Sequence, residues 1–298
     1  MTETDGPTPR VESLRRPRYA PSPRPVFDRP THITAATVTR HVWGDDEAHQ
    51  VADWIYASTD RIHAMVFGLA PGGRFLHSPE YRTVFAADEV FTVLAGRMVL
   101  ANPETGEVQP IEAGSSVAFG RDTWHHAFAH GTEALRVLEF FAPPPSTGSS
   151  GPYASSRPYL ESASYADDRV VGNWPATASE RRPTLRLIDN RQIHYRLAGD
   201  ALIGLLSSTD QLTVANLSLS PGGASSIQRR GGDEVIFGLS GLIHVRAWFG
   251  DRTYVFELAA EEACFLPAGS EHEYRNYSSA TATALLGVAP KFLPENAL

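Results

Sequence analysis

A chain of 298 residues with 42% hydrophobic and 20% charged residues has the composition of a globular protein with one large domain or two ordinary ones. Its net charge of -8 argues against nucleic acid as a partner, because phosphate binding needs a clustered basic surface. We expect no membrane span or secretion signal, since no apolar run approaches the roughly 20 residues that cross a bilayer. The single cysteine, Cys264, excludes an internal disulfide, favours a cytoplasmic location and is expected to be a small buried side chain.

The first half of the chain is predicted to be an arm followed by short strands. Residues 1–30 are rich in Pro, Arg and Ser, which is typical of a flexible arm that is either disordered or laid over a neighbour. Residues 46–56 allow a short helix. The pattern then favours strands over 62–69, 91–101, 108–111 and 133–141. Pro71-Gly72-Gly73 marks a turn after the first of these strands.

The second half repeats the first. Residues 60–73 align with 210–223 at an offset of 150, and residues 88–96 align with 233–241 at an offset of 145. His125 aligns with His272, and even Arg29-Pro30-Thr31 has a counterpart in Arg182-Pro183-Thr184. Matches in the same order with small drifts in offset indicate a duplication with loop insertions.

The second copy contains the same kind of element, with strands predicted over 212–219, 242–249, 253–258 and 281–288. Many short strands and few helical segments predict an all-β protein built from two tandem antiparallel jelly-roll barrels. The predicted division is a flexible arm at 1–30, an N-terminal barrel at 31–145, a linker at 146–160 and a C-terminal barrel at 161–298.

The spacing of these landmarks resembles that of the cupin superfamily, over residues from about 60 to 142 and from about 210 to 290. Cupins carry a first motif of two glycines, two histidines and a glutamate, and a second motif of glycine, proline, glycine, histidine and asparagine. The resemblance implies a bicupin, with each barrel a double-stranded β-helix. It also implies that three histidines and one glutamate hold a divalent metal in a barrel whose motifs are complete.

The second copy keeps the motif frame but not the ligands. Glu234 and His272 stand at ligand positions, whereas Gln228 and Arg230 replace the two histidines of the first motif. A guanidinium is always charged and has no lone pair to give to a metal. We therefore predict a degenerate, metal-free second barrel in which Arg230 pairs with Glu234.

The first copy keeps more of the ligands. Glu89 and His125 stand at ligand positions. Counting from Gly72 leads to Glu80 rather than to a histidine, while His77 lies close to the expected position beside about five inserted residues. The resemblance thus implies His77, Glu89 and His125 as metal ligands. Glu80, His126 and His63 are each open as a fourth ligand or a general base.

In the second motif of this copy, Gly120 and Asp122 replace the usual proline and glycine, and Ala129 replaces the asparagine.

Two histidines and one carboxylate leave coordination positions open for substrate or O2. The resemblance therefore implies a metal-dependent bicupin enzyme that acts on a small organic substrate in its N-terminal barrel, with Fe(II) dioxygenase chemistry favoured. A non-redox isomerase, lyase or hydrolase using Zn, Mn or Ni is the alternative, and a non-enzymatic bicupin that binds a small ligand is another. We expect a monomer or homodimer without nucleic-acid or membrane partners.

Further residues are candidates around this site. Tyr81 and Arg82 in the inserted stretch would cap the mouth of the barrel, where an arginine fork binds a carboxylate well. His126 would be a general base, although one of two adjacent histidines faces away from the barrel and a solvent-exposed His126 is the alternative. An apolar pocket is predicted from Phe67, Phe75, Phe85, Phe91, Phe119 and Trp124.

Overall fold

The computed structural model of the chain describes residues 22–44, 49–76, 84–144, 154–155, 163–166 and 183–294. The strands before residue 145 are β1 Thr31–Ile33, β2 Thr39–Trp43, β3 Val51–Ser58, β4 His63–Leu69, β5 Arg74–Phe75, β6 Val84–Phe85, β7 Asp88–Ala95, β8 Arg97–Ala101, β9 Val108–Glu112, β10 Ser116–Phe119, β11 His126–Ala129 and β12 Leu135–Ala142. The strands after it are β13 Ala154–Ser155, β14 Arg186–Leu187, β15 His194–Ala198, β16 Ala201–Ser208, β17 Thr213–Leu219, β18 Gln228–Arg229, β19 Asp233–Ser240, β20 Ile243–Phe249, β21 Arg252–Leu258, β22 Ala263–Leu266, β23 Glu271–Arg275 and β24 Ala282–Ala289. Two short 3-10 helices, Ser164–Ala166 and Asn190–Gln192, complete the described elements.

The described strands form two large sheets, two small sheets and one two-stranded sheet, β13-β6, all antiparallel, which confirms the predicted all-β jelly-roll fold. The first half pairs a seven-stranded sheet, in the order β14-β10-β7-β12-β4-β3-β2, with a four-stranded sheet, β5-β11-β8-β9. The second half pairs β1-β22-β19-β24-β17-β16-β15 with β18-β23-β20-β21. The two seven-stranded sheets pack against each other in the middle, where apolar residues of both halves share one core. Each half also has a core of its own between its large and small sheets.

Strand alternation explains how one sheet serves two cores. Successive side chains of a strand point to opposite faces of its sheet. In β12, Leu135 and Val137 lie in the core of the first half, while Leu138 and Phe140 lie in the core shared by both halves. Almost every residue of the strand is therefore buried, and its sequence shows an apolar run rather than an alternating pattern.

The two halves exchange one short strand each. β1 pairs with β22, so Thr31–Ile33 extends the large sheet of the second half. In return β14 pairs with β10, and Arg186–Leu187 extends the large sheet of the first half. These strands follow the two Arg-Pro-Thr repeats found in the sequence. The predicted division at residues 31 and 161 assigns each strand to the half in which it occurs along the chain, whereas the pairing joins each to the other half.

A hydroxyl–carboxylate contact fixes one side of the junction between the halves. Thr59 Oγ1 donates to Asp233 Oδ2 at 2.9 Å, and Arg61 Nη1 lies 3.0 Å from Asp233 Oδ1. Thr209, which occupies the equivalent position in the second copy, instead faces a cavity of about 240 Å³ that Asp88 also lines. The junction thus has a hydrogen bond and an ion pair to Asp233 on one side, and a cavity at the equivalent place on the other.

This asymmetry gives a first prediction. Thr59→Val removes the hydroxyl and leaves the buried Asp233 Oδ2 without its donor, at an expected cost of about 1–3 kcal/mol in the free energy of unfolding. Thr209→Val is the matched control and is expected to cost about 1 kcal/mol or less, because its hydroxyl serves only its own turn. Urea denaturation of both variants measures the difference, and equal losses would contradict the prediction.

Several local expectations can now be compared with the fold. The predicted helix at 46–56 is wrong where the chain is described, since β3 runs through Val51–Ser58 with its apolar residues buried on both sheet faces. Of the predicted flexible arm, residues 22–30 lie against both halves: Arg24 bonds the carbonyl of Thr59, and Phe27 contacts Phe265. Most of the predicted linker lies outside the described residues. No helix within the described ranges is long and apolar enough to span a membrane.

Candidate active site

The interior of the first half contains a group of buried carboxyl groups. Glu89 on β7 is 2% exposed, and its neighbour across the sheet on β12 is Phe141, two residues from Glu139. Glu89 and Glu139 share a hydrogen bond. Burial raises the pKa of Glu89 to about 8, with a further contribution from Asp88. Burial and the charges of Glu89 and Asp53 raise the pKa of Glu139 well above its usual value. The pair therefore holds a proton at neutral pH.

Asp53 on β3 is a third buried carboxyl group on the same inner face. Its partner across the sheet is Phe67, a member of the core of the first half. Burial raises the pKa of Asp53 to about 8, although the Trp43 side chain donates a hydrogen bond to it. The described residues give Asp53, Glu89 and Glu139 no arginine, lysine or histidine partner. Glu89 Oε2 and Asp53 Oδ1 are buried there without any hydrogen-bond donor.

Sequence reasoning identified Glu89 but missed Asp53 and Glu139. A signal was present, because each is a lone acid within a strand whose neighbours are apolar or aromatic. The repeat strengthens it: register places Ile203 at the position of Asp53 and Leu286 at that of Glu139 in the second half. The second copy thus has apolar residues at these two positions, where the first copy has buried acids.

His125 lies against the aromatic rings of the same interior. Its ring centroid is 4.9 Å from that of Phe119, 5.4 Å from that of Phe91 and 5.7 Å from that of Phe75. Nδ1 lies 3.4 Å from the carbonyl oxygen of Thr123. Burial lowers the pKa of His125 to about 4, so the imidazole is neutral at pH 7. A neutral imidazole has the lone pair that a metal ligand requires.

The loop before His125 shows that the altered second motif keeps its geometry. Asp122 has a φ of 63°, and Gly269, its counterpart in the second half, has a φ of 81°. Both occupy the left-handed region, which aspartate tolerates better than most residues other than glycine. The substitution of Asp122 for the usual glycine therefore preserves the turn that presents His125.

His126 points to a different environment from its neighbour. Its Nδ1 lies 2.8 Å from the hydroxyl oxygen of Tyr165, and the ring is 6% exposed. Burial, with a contribution from His125, lowers the pKa of His126 to about 4. The alternative of a solvent-exposed His126 is wrong, because Tyr165, from the segment between the two halves, covers the ring.

Four of the predicted site residues, His77, Glu80, Tyr81 and Arg82, lie outside the described residues. Among the residues that the structure does describe, no three His, Cys, Asp or Glu side chains meet as a metal site. Glu89 and His125 nevertheless fit part of a metal site. Glu89 has an unpartnered buried oxygen, His125 is neutral, and the interior holds three buried carboxyl groups without a described cation. A divalent ion bound there would favour the ionised form of Glu89, since buried charges are paired or bind metals.

The equivalent position in the second half contains an ion-paired network. Arg230 Nε donates to Glu234 Oε2 at 3.1 Å, which confirms the predicted pair. His272 Nε2 lies 3.1 Å from the same oxygen, and Tyr274 donates to Glu234 Oε1 at 2.6 Å. Burial acts to raise the pKa of Glu234, but Arg230, His272 and Tyr274 together outweigh it and lower that pKa to about 2. That this barrel binds no metal stays a prediction. The ion pair between Arg230 and Glu234 supports it.

Cys264 is buried in the core of the second half, as predicted.

Two jelly rolls in tandem, with one polar site in each interior, define the class of protein. Residues 66–141 match the Cupin domain family. The first half is therefore similar to the cupin domain family, and the second half repeats the strand order of its large sheet. No curated protein sequence matches it.

Solved structures share the fold at low sequence identity. AerE from Microcystis aeruginosa is 10% identical with a TM-score of 0.55, over 88% of this chain and 97% of that one. The formate complex of Lactobacillus farciminis oxalate decarboxylase is 13% identical with a TM-score of 0.58, over 92% and 90%. The 7S globulin of Momordica charantia is 12% identical with a TM-score of 0.56, over 84% and 81%. Such likeness shows the fold alone, and function must be argued from the site.

Proposed function

We propose that this chain is a metal-dependent enzyme that acts on a small organic substrate inside its first barrel. The observation that carries the proposal is the unpartnered, buried Oε2 of Glu89 in the same apolar interior as the neutral His125. In the proposal these two side chains and His77 hold one divalent ion. Fe(II) is favoured because two histidines and one carboxylate leave positions open for substrate and O2. Bound there, the ion would supply Lewis acidity and, as iron, redox chemistry with O2.

Side chains of the first barrel would exclude water, position the ligands and bind the substrate. Phe75, Phe91 and Phe119 line His125 and keep water away from it. Glu139 holds a proton against Glu89 and so positions that carboxyl group. Glu80 and His126 remain candidates for the general base, and Tyr81 and Arg82 are proposed to receive a carboxylate of the substrate at the mouth.

A non-redox reaction is the second candidate, and the Glu89–Glu139 pair favours it. A carboxyl group that holds a proton at neutral pH can act as an acid or base at that pH. With Zn, Mn or Ni, the same interior would then catalyse an isomerisation, lyase or hydrolytic step. The identity of the metal, together with a measurement of O2 consumption, decides between the two reactions.

Metal analysis of the purified chain tests the proposal. We expect about one divalent ion per chain, falling below roughly one tenth in His125→Ala, because a lost ligand weakens a three-ligand site severely. His272→Ala is the matched control, since His272 occupies the equivalent place in the second barrel and touches Glu234. Its metal content is expected to stay at the wild-type value.

Circular dichroism of both variants checks that the fold is retained. A wild-type chain without metal after supply of Fe, Mn, Zn and Ni would overturn the proposal, as would equal metal content in His125→Ala.

A further inference from the structure

The second barrel has a cavity of its own. It measures about 660 Å³ and lies between the ends of β15, β16 and β17 and residues 290–293 that follow β24. Ile203 and Ala215 form part of its wall and belong to the core of this half, so the cavity opens from the barrel interior. Its size lies within the range of small-molecule sites, and its walls are mainly apolar.

A guanidinium without an anionic partner lines this cavity. Arg196 lies over the ring of Phe292, with Cζ 4.8 Å from the ring centroid. In the described part of the chain no carboxylate and no hydrogen-bond acceptor meets the Arg196 guanidinium. Burial and the charge of Arg230 lower the pKa of Arg196. An arginine has five donors in a planar fork, and a site that leaves them unused suits an anion.

Two arginines lie on the ring of Phe292, and one of them already has a carboxylate partner. Arg230 lies on Phe292 as well, 4.0 Å from the ring centroid, and its charge is matched by Glu234. The other ionisable residues that line the cavity are His194, Tyr195, Asp210 and Lys291. The one acid among them, Asp210, is exposed, as are Arg196 and Lys291. Because no described carboxylate pairs with Arg196, its positive charge is available to a negatively charged ligand.

We propose that this cavity is a binding site for a small organic carboxylate, with Arg196 receiving the carboxylate and the apolar walls receiving its hydrocarbon part. Phe292 would contact the ligand from the same side as Arg196, since the ring lines the cavity and supports the guanidinium. The site is separate from the metal proposed for the first barrel. It gives the second barrel a binding role in place of the metal site that its motifs have lost.

Titration calorimetry with 4-phenylbutanoate tests this site, with the neutral 4-phenylbutanamide as the matched ligand. The carboxylate is expected to bind at least roughly 10-fold more tightly than the amide, and Arg196→Gln is expected to weaken it by roughly 10- to 100-fold, as for hydrogen bonds to charged groups. Arg252→Gln is the control variant, because Arg252 is an exposed arginine of β21 outside the cavity. Its affinity should equal that of the wild type.

Three results would overturn the proposal: no binding of 4-phenylbutanoate, equal affinity for the amide, or unchanged affinity in Arg196→Gln. If inorganic phosphate binds as tightly as 4-phenylbutanoate and competes with it, the site is one for a free anion, and the proposal of an organic carboxylate is overturned. Retention of carboxylate binding in His125→Ala supports a site independent of the first barrel. The proposed carboxylate site and the proposed metal site are therefore tested independently, and the failure of one does not contradict the other.

Discussion

Glu234→Gln is expected to lower the free energy of unfolding by about 3–5 kcal/mol, because it leaves the charge of Arg230 buried without its partner. The side chains of Arg230 and Glu234 are 4% and 1% exposed, so water compensates neither. Tyr274 and His272 also lose the carboxylate that they contact. Glutamine has the same shape as glutamate, and the loss therefore measures charge rather than packing. Urea denaturation of the variant and the wild type gives the value.

Glu271→Gln provides the matched control. Glu271 pairs with Arg229, the residue next to Arg230, but these two side chains are 50% and 54% exposed. An exposed pair of this kind contributes about 0–1 kcal/mol. The two variants change the same residue type against adjacent arginines and differ chiefly in burial. Losses of similar size would contradict the role assigned to the buried pair.

Acid should reduce the difference between Glu234→Gln and the wild type. The folded pKa of Glu234, about 2, lies below its ordinary value of 4.5. The stability that this ionised carboxylate contributes is therefore complete above about pH 4.5 and is lost as pH falls through about 2. A difference that stays constant down to pH 2.5 would show that the charge of Glu234 is not its cause.

The second large effect is expected at Asp53, with the opposite sign. Asp53→Asn should stabilise the metal-free protein by several kcal/mol at pH 8 and by almost nothing at pH 4. Burial raises the folded pKa of Asp53 from 3.8 to about 8, so between these values the folded state keeps a proton that the unfolded state releases. Stability thus falls as pH rises, by at most about 1.4 kcal/mol per pH unit. Asparagine cannot ionise, and it can still accept the hydrogen bond from Trp43.

Unfolding by urea at pH values from 4 to 8, after chelation of any metal, measures this slope. Asp60→Asn is the control, because the side chain of Asp60 is 97% exposed. It should leave the dependence on pH as it is in the wild type. A wild type and an Asp53→Asn variant with parallel pH profiles would contradict a buried, protonated Asp53.

The sequence was sufficient for part of the strands and for the alignment of Glu89 and His125 with their counterparts in the second copy. The turn signals and the repeat predicted β4, β7, β8, β9 and β12 of the first copy and β17, β20, β21 and β24 of the second, because strand and turn preferences act over a few residues. The repeat also aligned Glu89 with Glu234 and His125 with His272, and all four side chains are buried within their barrels. The pair of Arg230 and Glu234 followed from chemistry alone, since an arginine beside a buried glutamate has an obvious partner.

Other parts of the site required the assembled sheets. Asp53 and Glu139 are 86 positions apart, and they come together through strand pairings on both sides of β4. The cover over His126 comes from Tyr165, which the sequence assigned to the C-terminal barrel rather than to the first. Local sequence patterns do not encode such contacts.

By itself, the sequence determined that the chain has two copies of one all-β unit and that the second copy has lost the histidines of its first motif. These two features can be read from the sequence because a turn residue or a missing ligand residue is recognised at its own position, without knowledge of the fold. Only the tertiary structure decided that the copies exchange β1 and β14, that the first interior is acidic, and that Arg196 faces a cavity in the second. Each of these depends on which strands become neighbours, and that is settled by the burial of both sheet faces.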